Sequence, residues 1–146
     1  MIDALVKYTE HGDFIFKSND KLAKVCKDVP SSKSGVYLVY AVSNNKEELI
    51  YIGRTGQLLY GYAKHRKGGL KGHFTTGKQQ LGYEVPNLRQ VSWPKKMKEE
   101  EIDYLKVEWF VTLDETNNDC PMELEKSLLN SYKESNGTLP RWNLFE

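Results

Sequence analysis

Residues 35–54, GVYLVYAVSNNKEELIYIGR, constrain the fold more than any other stretch of this chain. Two runs rich in β-branched and aromatic residues, Val36–Val42 and Glu48–Gly53, flank the polar turn Ser43-Asn44-Asn45-Lys46. That is the pattern of an antiparallel hairpin. Side chains alternate across a strand, so Tyr37 shares a face with Val39 and Ala41, and Tyr51 with Leu49 and Gly53, opposite Ile50 and Ile52. A register that pairs Val39 with Tyr51 sets Tyr37 opposite Gly53 and diagonally beside Tyr51, at roughly 7–8 Å. A slip of one residue would send the two phenols to opposite faces.

At 146 residues the chain suits one domain with a real core. With 39% hydrophobic and 28% charged residues it is ordinary for a globular protein rather than a disordered one. No apolar run approaches the roughly 20 residues of a membrane span, and the N-terminus lacks the order of a signal peptide. Cys26 and Cys120 are isolated and lack metal-ligand spacing, which fits thiols in a reducing cytoplasm. No contact with a membrane is expected.

The net charge of +1 hides a strong asymmetry. Between Arg54 and Lys98 there are ten Lys or Arg and one acid, Glu84, a net +9, against −8 for the remainder. Most charge runs are solvated surface. Here Gly, His and aromatic residues interleave the bases, which favours a face that attracts phosphates.

Ahead of the hairpin, Phe14-Ile15-Phe16 reads as a brief extended run, and Ser18-Asn19-Asp20 offers N-caps for a helix through Leu22, Val25 and Cys26. Beyond it, Leu58–Lys67 reads as a helix or helical turn. Ser92-Trp93-Pro94 opens a helix through Leu105, with Trp93 as a packing anchor, and Leu105–Leu113 is a strand. Asp119 is a candidate cap for a helix from Pro121 to about Glu134. On that helix Glu125 precedes Leu128, Leu129 and Tyr132 by three, four and seven residues, so it shares the inward face. An acid there is costly unless it is paired or binds a metal. A structural bridge to an arginine is the second reading of Glu125.

Gly35-Val36-Tyr37 and Tyr51-Ile52-Gly53, followed by a basic tract, Glu125 on a late helix and Asn143 after the turn Leu139-Pro140-Arg141, resemble in order the motifs of the GIY-YIG nuclease superfamily. The resemblance covers about residues 34–145. It implies an α+β fold: a small, mostly antiparallel three-stranded sheet flanked by helices, formed by residues 34–146, with residues 1–33 as an N-terminal extension joined to the same core. It also implies a divalent-metal-dependent DNA endonuclease. Glu125 would be the one protein ligand of Mg²⁺ or Mn²⁺, and Tyr51 would help deprotonate the attacking water. Tyr37 would orient that water or the phosphate, Arg66 would grip the phosphate, and Asn143 would edge the site. Arg66 lies further beyond Tyr51 than the family usually places its arginine, so an insertion must intervene. Arg54, where some members have a lysine, is the alternative. Lys64, His65, Lys67, Lys71, His73 and Lys78 complete the expected DNA contacts. A non-catalytic nucleic-acid-binding module of the same fold is the main rival, and a protein-interaction domain for an acidic partner the other.

Overall fold

A computed structural model describes residues 2–55, 57–59, 62–64, 68–114 and 117–144, with the backbone alone for 57–59 and 62–64. The chain forms strand β1 (His11–Phe16), the short helix α1 (Leu22–Val25), and strands β2 (Ser34–Ser43) and β3 (Lys46–Thr55). A small pair, β4 (Gln57–Leu59) and β5 (Tyr62–Lys64), leads to helix α2 (Gly69–Thr76). A second small pair, β6 (Lys78–Gln79) and β7 (Asn87–Leu88), precedes helix α3 (Arg89–Glu99), strand β8 (Tyr104–Leu113) and helix α4 (Pro121–Asn136).

The fold is α+β, built on an antiparallel sheet in the order β1-β8-β2-β3. The sheet therefore has four strands where three were expected. The extra strand comes from the run at Phe14–Phe16: the alternation buries Phe14 and Phe16, and the strand extends back to His11 by pairing along β8. The hairpin register is the expected one, with Tyr37 opposite Gly53 and Val39 opposite Tyr51. Asn44 and Asn45 take φ of 53° and 64°, the left-handed pair that a two-residue hairpin turn requires. One detail differs. A bulge between Val39 and Tyr40 leaves Ile50 without a direct partner, so Ile50 joins Tyr51 on one face while Leu49 moves to the other.

Both faces of the sheet are covered, which is why β2 is buried over most of its length. One face carries Tyr37, Val39, Val107 and Trp109 and packs on Leu22, Leu70, Phe74, Trp93 and Met97 of α1, α2 and α3. The opposite face carries Val36, Leu38, Ile52 and Phe110 and packs on Leu5, Tyr8 and the Leu128-Leu129 stripe of α4.

Several local expectations need correction. Residues 57–59 and 62–64 are paired strands, not a helix, with Gln57 opposite Lys64. Asp20 accepts from the Lys17 amide at 2.8 Å and closes a turn; α1 has Lys21 at its N-cap position and is four residues long. Helix α3 begins at Arg89, so Pro94 lies inside it, and Trp93 is fully buried, its Nε1 donating to Gln79 Oε1 at 2.8 Å. Asp119 does not cap α4: its carboxylate accepts from the Tyr8 hydroxyl at 2.6 Å and pairs with Lys7 at 3.1 Å. Among the described residues no helix is long and apolar enough to cross a membrane.

The C-terminal tail lies against the free side of β3. The Trp142 amide donates to Ile50 O at 2.8 Å, and Arg141 bridges Glu48 and Glu100.

Candidate functional site

The hairpin register brings the rings of Tyr37 and Tyr51 to a centroid distance of 5.9 Å. They meet over Gly53, where an added Cβ would stand 2.4 Å from Tyr37 Cζ and 2.6 Å from Tyr51 Cε2. Only glycine leaves room for both phenols. Tyr37 is completely buried, and its hydroxyl lies 2.8 Å from His73 Nε2 and accepts from Arg89 Nη2 at 3.4 Å. Burial pushes both phenols above their ordinary range, and the Arg89 charge pulls both back in part.

Tyr51 lies nearer the surface and lines a cleft of about 250 Å³ together with Glu125 and Asn143, with Leu81, Leu129 and Trp142 among its walls. This cleft opens beside edge strand β3, so α4, on one face of the sheet, delivers Glu125 to a phenol that belongs to the other. Glu125 keeps 21% of its side chain exposed. Burial raises its carboxyl above the usual range, while the Arg54 guanidinium lowers it. Arg54 Nε stands 3.3 Å from Glu125 Oε1, an ion pair that falls outside hydrogen-bond geometry. The described residues thus contain the arginine bridge given above as the second reading of Glu125. Beyond it Arg54, Glu125, Lys126 and Asn130 help line another cleft, of about 400 Å³.

Asn143 has a clear local task. Its Oδ1 accepts from the Ile52 amide and its Nδ2 donates to the Ile52 carbonyl, both at 2.9 Å, so its amide mimics a paired backbone unit on β3. It edges the cleft through that clamp. Arg66, His65 and Lys67 lie outside the described residues, as does the Lys64 side chain. Lys71 Nζ reaches the Lys27 carbonyl at 3.4 Å, and Lys78 is exposed on β6. Assigned from sequence to phosphate contact, His73 instead turns inward and is half-buried against Tyr37. Side chains 37, 51 and 125 therefore gather at one edge of the sheet, but Tyr37 stands behind Tyr51 rather than in the cleft.

Arg89 is the residue that sequence reasoning missed. It entered only as one base of the +9 tract, yet it is 3% exposed. The signal was there: Arg89, Ser92, Trp93 and Met97 recur at helical spacing and are the buried residues of α3.

Among the described residues no group of three or more His, Cys, Asp and Glu could enclose a metal. A caged ion is therefore not offered here. One partly desolvated carboxylate at a cleft edge suits Mg²⁺, which keeps several waters and often takes one or two carboxylates plus substrate phosphates. Comparison with models of protein families, with curated proteins and with solved structures finds no significant match.

Proposed function

We propose that this chain is a divalent-metal-dependent endonuclease of the GIY-YIG type, hydrolysing a DNA phosphodiester beside the edge of β3. The observation that carries the reading is the shared cleft of Tyr51 and Glu125, with Tyr37 stacked behind it. Mg²⁺ or Mn²⁺, bound by Glu125, water and phosphate oxygens, would supply Lewis acidity to the leaving oxygen. Tyr51 orients the attacking water. Its phenol is raised by burial, so proton abstraction depends on the positive charges of Arg89 and Arg54, both of which pull it down. Tyr37, out of reach of DNA, fixes the Tyr51 ring. Arg54 holds Glu125 in place and offers a planar fork to the phosphate, the task also assigned to Arg66. Lys71 and Lys78, with Lys64, His65 and Lys67, would draw in the backbone.

The test is incubation of supercoiled plasmid and branched DNA with Mg²⁺, wild type beside Glu125→Ala. Wild type should nick, and the variant should lose at least about 100-fold in rate. Nicking that survives the substitution rejects Glu125 as ligand.

The Arg54–Glu125 pair also supports a second reading, a DNA-binding module of the same fold without cleavage. It is favoured if neither protein nicks while both bind DNA in a salt-dependent manner.

A further inference from the structure

We infer that Gln79 is a phosphate-binding residue, whose side-chain amide nitrogen holds a non-bridging oxygen of the DNA strand in the cleft of Tyr51 and Glu125. The identity of the ligand rests on the nuclease reading; the free donor does not. Gln79 lies on β6 and is only 9% exposed. Behind it the fully buried Trp93 donates from Nε1 to Gln79 Oε1 at 2.8 Å. An indole nitrogen can only donate, and in an amide only the oxygen accepts, so this one bond sets which way the Gln79 amide faces. The oxygen is turned to Trp93, and the two N–H groups are left over.

Three amide side chains line this cleft, and two of them have their nitrogens engaged by backbone carbonyls. Asn143 Nδ2 donates to Ile52 O at 2.9 Å, and Gln80 Nε2 to Tyr83 O at 2.7 Å and Glu84 O at 3.4 Å. Gln79 Nε2 has no hydrogen-bond partner among the described residues, yet it is not sealed in as Arg89 Nε and Ser92 Oγ are. A nearly buried amide in the wall of a cleft, with its nitrogen still open, has its donors directed into that cleft. Such a donor takes a phosphate oxygen in preference to a neutral acceptor, because the bond is charge-assisted. It is also uncharged. A lysine or arginine here would compete for Glu125, whereas an amide leaves that carboxylate to the cation.

The experiment is titration of two labelled DNA duplexes of unrelated sequence with the 146-residue chain, without divalent ions, followed by fluorescence anisotropy. Gln79→Glu keeps an oxygen for Trp93 but loses the donors, so it should bind both duplexes about 10-fold more weakly than wild type. Gln80→Glu puts the same charge on an exposed neighbour, measures the cost of charge alone, and should lose far less. Equal losses in the two variants, or wild-type affinity in Gln79→Glu, overturn the inference. A loss confined to one duplex also overturns it, since a phosphate contact carries no sequence information. Should Gln79→Glu fail to fold, the ¹H–¹⁵N signal of the Gln79 side-chain amide in wild type takes its place. That signal should shift when DNA is added, and one that does not move overturns the inference. If Gln79→Glu shows the expected loss but wild type does not nick with Mg²⁺, the nuclease reading falls and the phosphate contact stands. If wild type nicks and Gln79→Glu binds normally, the contact falls and the nuclease reading stands.

Discussion

A methyl group at position 53 would collide with both phenols, so Gly53→Ala should displace Tyr37, Tyr51 or the strand itself. Overpacking of this kind costs about 1–3 kcal/mol, to be read from urea unfolding. Tyr37→Phe removes no packing volume to speak of but strips a partner from Arg89 and from His73 Nε2. It should cost a similar 1–3 kcal/mol, roughly the penalty of an unsatisfied buried group. Unfolding free energy equal to wild type would show that this polar cluster takes up other partners. Helical spacing singles out Arg89 on α3 as it does Glu125 on α4. It was legible at 125 because Leu128, Leu129 and Tyr132 make the stripe plain. At position 89 the stripe is carried by Ser92, Trp93 and Met97 and is interrupted by Pro94, so the arginine merged with its basic neighbours.

Among the elements, the hairpin was readable to the residue because alternation and an Asn-Asn turn specify one register. Strand β1 was half-visible: its apolar signal is the short Phe14–Phe16 run, and its pairing along β8 is a long-range fact that no local window contains. Residues 57–59 and 62–64 were misread because a short run such as Leu58, Leu59 and Tyr60 beside Gly61 carries no clear period. Asp119 shows a different failure. A residue of cap type just before a helix was claimed by Tyr8 and Lys7, from the far end of the chain. That tie has a pH signature. The Tyr8 hydrogen bond first, and then Lys7, hold the Asp119 carboxyl below its ordinary value, so its folded value lies under its unfolded one. Its stabilising effect is present above the unfolded value, near 4, and fades as pH falls through the lower, folded one. Asp119→Asn should therefore show a smaller fall in Tm between neutral and strongly acid pH than wild type does. An equal fall would mean that the contact contributes nothing across that window.

At the scale of the whole molecule, charge follows layers. Helices α2 and α3, which belong to the +9 tract, cover one face of the sheet, and α4 with the residues around Tyr8 covers the other. If the basic layer meets DNA, Lys78→Ala should weaken binding evenly across sequences and lower the salt slope by about 1. Titrations at several salt concentrations measure this, and an unchanged slope removes Lys78 from the contact surface. Trp142 and Asn143 occupy the outer amides and carbonyls of β3 that another polypeptide would otherwise seek. A chain ending at Arg141 should therefore recruit copies of itself edge to edge, giving oligomers in sedimentation where the 146-residue chain, at equal concentration, gives none.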